Sequence, residues 1–188
     1  LLSFVIETCF SKAITQSIFC EMYVKFIQML ADKYVDINKI IYEKCDMFNR
    51  QLSEFKDSDG GYRTEVTKEN YDLFCEETKK KQFKKGYSQF IANLFSANLI
   101  QIKELRNTLE QIRRNIEESI DDPTSSYLED NITCYIETLD KSCKNDNIYL
   151  FALDIVSCEK MKMIKNLPKR LKFKIMDFQD KIKKIQKS

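Results

Sequence analysis

Leu171-Lys172-Phe173-Lys174-Ile175-Met176-Asp177-Phe178-Gln179-Asp180-Lys181-Ile182-Lys183-Lys184-Ile185 carries an apolar stripe at 171, 175, 178, 182 and 185, in steps of four, three, four and three residues. A helix of 3.6 residues per turn returns those positions to one face, whereas a strand would split them between two. The segment is therefore a helix with one face against a core. Phe173 is the exception. At about 100° per residue it points almost opposite the stripe, among Arg170, Lys174, Asp177 and Lys181. An aromatic on a charged face is a candidate contact residue; it can also be covered by another segment or stand as a lone surface hydrophobe.

The same spacing recurs through the rest of the chain. Leu2, Ile6, Cys9, Phe10 and Ala13 mark a first helix, Phe19, Tyr23, Phe26 and Leu30 a second, and Ile37, Ile41, Cys45, Phe48 and Leu52 a third. A charged helix is expected over 65–81, followed by a face of Tyr87, Phe90, Ile91, Leu94 and Phe95, and then a stripe of Ile102, Leu105, Leu109, Ile112 and Ile116. Asp121-Asp122-Pro123-Thr124-Ser125 stops that helix, and Ser125 or Ser126 can cap the next. Helices over 127–144 and 146–165 lead to the last one after Pro168. The total is about nine helices. The single clear loop is 56–64, with Asp57-Ser58-Asp59-Gly60-Gly61. Its calcium-loop appearance fails because Gly61 and Lys68 stand where later ligands belong.

Three glycines and two prolines among 188 residues are too few to punctuate a β-sandwich or barrel, so the fold class is all-α. Helix pairs of this length form either a bundle or a solenoid of HEAT-like repeats of about 40 to 47 residues. No clean repeat decides between them, and spacing favours a solenoid of antiparallel pairs in one domain over 1–188. With 31 basic and 29 acidic residues the net charge names no partner. The absence of histidine removes the usual general base, zinc ligand and nucleophile partner. No P-loop, no GxGxxG and no paired CxxC occurs. The reading is thus of a non-enzymatic binding protein without a cofactor. Seven cysteines without a CxxC fit buried free thiols in a reducing, cytoplasmic setting. No apolar run reaches the roughly 20 residues needed to span a bilayer, and Leu1-Leu2-Ser3-Phe4-Val5-Ile6-Glu7 reads as helix interior rather than signal peptide. A monomer is expected.

Four stretches carry a resemblance. Lys12-Ala13-Ile14 with Phe19 and Tyr23 is similar to "EKAI..P.F...Y", with Ser17 at the usual proline; Ile40-Ile41-Tyr42-Glu43-Lys44-Cys45 with Phe48 is similar to "LLLN.CQ..F", with Glu43 at the asparagine and the phenylalanine one position early. Gly86 with Phe90-Ile91-Ala92-Asn93-Leu94-Phe95 resembles "GN..FIGELF", Ala92 keeping a small residue where two helices approach. Arg170-Leu171-Lys172-Phe173 with Ile175, Asp177 and Asp180 resembles "R.RF.L.D..D". In this order they resemble the middle domain of eukaryotic translation initiation factor 4G, a crescent of HEAT-type pairs. The likeness spans nearly the whole chain, without the family's first helix and without a match for 56–85.

That resemblance implies a translation-initiation scaffold that binds and activates the DEAD-box RNA helicase initiation factor 4A, or a related scaffold of mRNA decay, splicing or poly(A)-binding-protein function. It implies partner contacts at Phe173, Arg170, Lys172 and Asp177, and at Ile18, Phe19, Lys44 and Asn49. Phe19 is read as shared between core and interface. Two basic patches, Lys79-Lys80-Lys81 with Lys84-Lys85, and Lys160, Lys162, Lys165, Lys169, Arg170, Lys172 and Lys174, could meet mRNA phosphates. The second is opposed by little acid in its own stretch of sequence.

Overall fold

The computed structural model describes residues 1–54, 71–121, 126–144 and 147–187. Among these, eight α-helices occur and no strand: α1 (Leu2–Thr15), α2 (Cys20–Ala31), α3 (Ile37–Glu54), α4 (Tyr71–Ser96), α5 (Ile102–Glu118), α6 (Ser126–Ser142), α7 (Ala152–Met161) and α8 (Lys169–Ile185). Short 3₁₀ turns, Ser17–Phe19 and Ile148–Phe151, lead into α2 and α7. The expected loop at 56–64 and most of the Asp-Pro break at 121–125 lie outside the described residues.

Three expectations are corrected. The described part of the charged segment, 71–81, and the Tyr87–Phe95 face belong to one unbroken 26-residue helix, α4, since Gly86 between them is tolerated in a helix at a cost of only about 1 kcal/mol; 65–70 lie outside the described residues. The helix expected over 146–165 is a 3₁₀ turn followed by the ten-residue α7. In α2 the buried face is Cys20, Val24 and Ile27, while Phe19 and Phe26 are exposed. Tyr23 and Leu30 of the expected stripe are partly buried against the core, so periodicity found its flank and missed its centre, because apolar residues nearly encircle that helix.

Helix ends are made locally. Gln101 and Glu104 form a reciprocal capping box that starts α5, with the Gln101 amide donating to Glu104 Oε2 at 3.1 Å. Asn98 takes a left-handed φ of 57°, and the Leu99 amide turns back to the Leu94 carbonyl at 3.0 Å, closing α4.

Helices of the same parity pack side by side, α1 on α3 and α3 on α5, and α2 on α4, α4 on α6 and α6 on α8. Within each row the helices run in the same sense, because bonded partners rise in number together. Glu7 meets Lys44 as Phe10 meets Phe48; Cys20 meets Asn93 as Gln28 meets Ala97; Gln89 meets Glu137 as Ser96 meets Lys141. Between rows the sense reverses, with Phe10 against Phe90 and Ile14 against Gly86.

The core at this crossing is aromatic. Phe10 meets Phe90 edge-on at 4.6 Å, and Phe48 lies 5.5 to 5.6 Å from Phe83 and Tyr87. Gly86 lies against the α1 backbone so closely that a Cβ there would stand 2.7 Å from the Ile14 carbonyl carbon. The small residue this crossing requires is therefore Gly86; Ala92 is also buried, farther along α4.

Six of the seven cysteines are buried, and Cys75 is partly exposed. Burial pushes the Cys45, Cys143 and Cys158 thiols up to about 12 and Cys134 to about 11. They are protonated near neutrality, and a thiol without thiolate is a poor nucleophile. In a native thiol-labelling assay at mildly alkaline pH, Cys75 is expected to react first and the other six only after denaturant is added. Rapid labelling of all seven in the folded protein would contradict this packing.

Candidate partner interface

The buried stripe of α8 is Leu171, Ile175, Phe178 and Ile182, as the spacing requires. Phe173 consequently stands 60% exposed on the other side, with Met176 beside it at 44%. Arg170 and Asp177 are exposed and Lys172 is half-buried. Arg170 pairs with Glu129 of α6, which fixes one edge of the Phe173 surface. At the opposite end of the even-numbered row, Ile18 is 86% exposed in the 3₁₀ turn and Phe19 is half exposed. Phe19 is exposed and is not among the side chains packed against the core, which corrects the expectation that it is shared between core and surface.

Lys44 and Asn49 already have partners within the fold. Lys44 is largely buried and binds Glu7 at 3.0 Å, tying α3 to α1. Asn49 Oδ1 accepts hydrogen bonds from the hydroxyls of Thr108 at 2.7 Å and Tyr87 at 3.3 Å, joining α3, α5 and α4. A fully buried tyrosine hydroxyl needs such an acceptor, so both residues have a packing role.

The basic patch on α7 and α8 does meet acid, contrary to the reading from its own stretch. Glu129, Glu137 and Asp140 on the outer face of α6 take Arg170, Lys174 and Lys181; Lys174 lies 2.6 Å from Glu137 and Lys181 2.6 Å from Asp140. Lys162 donates to Gln179 at 3.3 Å. Lys160, Lys165 and Lys169 remain exposed, with Lys172 half-buried. In the other patch, Lys80 binds Glu77, Lys81 binds Asp130, and Lys84 is buried over the Tyr127 ring at 3.6 Å. Ion pairs spaced along α6 and α8 thus join the last two helices of the row, and the exposed lysines of this patch lie between α7 and the start of α8. A groove of about 490 Å³ between α4, α6 and α8 is walled by these mixed charges.

Sequence reasoning missed Met22, Phe26 and Met29, which are exposed along α2. The available signal was the excess of apolar residues around that helix over what one buried stripe accounts for. No group of histidine, cysteine or acidic residues that could hold a metal ion occurs among the described residues. No described helix is long and apolar enough to cross a membrane.

No protein-family model, curated protein or solved structure matches this chain. The resemblance to the initiation-factor middle domain therefore rests on the four motifs alone.

Proposed function

We propose that this protein is a scaffold that binds and activates a DEAD-box RNA helicase of the initiation factor 4A type, with its helices arranged as a solenoid of HEAT-type antiparallel pairs. The observation that carries the reading is Phe173, an exposed aromatic on the charged face of α8 at the position the family resemblance gives to helicase contact. The packing of like-parity helices in parallel rows, reversed between rows, supports the solenoid. Exposed aromatics at both ends of the even row, Phe19 and Phe173, suit a two-lobed partner, since one ligand can engage both only in lobe arrangements that span them. A scaffold that binds one arrangement better than others shifts the helicase toward it. RNA contact, in this reading, is auxiliary and falls on Lys160, Lys165, Lys169 and Lys172, with Lys162 and Lys174 engaged in the fold.

Calorimetry with the helicase, wild type beside Phe173→Ala, tests this directly, with ATPase assayed in the same samples. The expected result is binding and ATPase stimulation by the wild type, and a loss of about tenfold in affinity in the variant, the size of a strong contact residue. Phe173 is exposed, so the variant should melt within about 0.5 kcal/mol of wild type. A folded wild type that neither binds nor stimulates the helicase would refute the proposal, and decay- and splicing-type DEAD-box proteins would be tested next.

A further inference from the structure

We propose that two copies of this protein pair through the outer face of α2, antiparallel about a two-fold axis. The face consists of Phe19, Met22, Phe26 and Met29, with Ile18 at its edge, each between 43% and 86% exposed. Its spacing of three, four and three is that of a helix-to-helix seam. The buried residues of α2, Cys20, Val24 and Ile27, lie on the opposite side, so the seam is additional to the core contact.

The order of side chains along the seam selects the occupant. Reading Phe19, Met22, Phe26, Met29 backwards exchanges every phenylalanine for a methionine. Two copies in antiparallel register therefore place Phe19 against the partner's Met29 and Met22 against the partner's Phe26. Each of the four layers then holds one ring and one thioether, equal in volume and suited to sulfur–aromatic contact. Parallel pairing would give alternating double-phenylalanine and double-methionine layers instead. A two-fold interface requires this kind of self-complementarity. Five side chains of roughly 200 Å² each, at these exposures, present on the order of 600 Å² per copy, so a pair covers about 1,200 Å², the lower end of stable specific interfaces. The pairing replaces the expected monomer and competes with any partner that uses Ile18 and Phe19.

Sedimentation of the full chain across the micromolar range tests the pairing. A reversible monomer–dimer equilibrium is expected, weakened at least about tenfold by Met22→Lys, with helicity unchanged, and unaffected by Met176→Lys on α8. Phe26→Met should weaken pairing by leaving layers of two methionines, and adding Met22→Phe should restore it. A chain that stays monomeric, a dimer indifferent to Met22→Lys, or a double swap that fails to restore association overturns the proposal. So does a seam that binds only the helicase. The first three outcomes leave the helicase reading as it stands, since that is tested through Phe173, and the fourth supports it while overturning the pairing.

Discussion

Gly86→Ala is expected to destabilise the protein by about 2 to 3 kcal/mol net, although alanine is the better helix former. Two terms oppose each other. In the middle of α4 the exchange should gain about 1 kcal/mol from helix propensity. Against it, the new methyl would enter the α1 backbone, with the Ile14 carbonyl carbon at 2.7 Å and Cα at 3.0 Å. A side chain could swing aside, but a helix backbone moves only by shifting α1 as a whole, which would separate Phe10 from Phe90. Overpacking ordinarily costs 1 to 3 kcal/mol, and contact with backbone places this site at or above the top of that range. For a chain of this size the melting temperature should fall by roughly 5 to 10 °C. Urea and thermal melts of the two proteins measure it, and a variant as stable as wild type would show that the two helices do not approach this closely.

The legible parts of this fold were those set by one buried face per helix. The stripes of α3, α5 and α8 were readable because polar residues occupy their other faces, so the 3.6-residue period has one solution. In α2 it has two: Cys20, Val24 and Ile27 are buried, and Phe19, Met22, Phe26 and Met29 are as apolar but exposed. No rule based on hydrophobicity separates them, because the choice is made by what α1 and α4 present to the helix. Phe173 was legible for the converse reason, as an aromatic stranded on a charged face. The partners of Lys44, Asn49 and Lys174 were not, since Glu7, Thr108 and Glu137 lie some forty to sixty residues away in sequence. A cation looks free until the helix that neutralises it is in place.

Raising the pH from about 9 toward 12 is expected to unfold the protein through its buried thiols. An unfolded cysteine releases its proton near 9.0, while Cys45, Cys143 and Cys158 hold theirs to about 12 in the folded state and Cys134 to about 11. Between those values the folded state binds more protons than the unfolded one, so stability is complete below pH 9 and is lost as pH rises through the folded values. Each group contributes at most about 1.4 kcal/mol per pH unit, and four such groups acting over one interval give a slope no single residue can produce. Tyr87 and Tyr135, raised by burial, act in the same direction. Side chains other than cysteine also titrate at alkaline pH, so wild type alone does not identify the cause. Cys158→Ala does: it removes one fully buried thiol and should flatten the fall of unfolding free energy with pH by about one group's share, while leaving every other group in place. Denaturant melts at a series of pH values measure the slope, and an unchanged slope in the variant would assign the alkaline transition to surface charge rather than to the core.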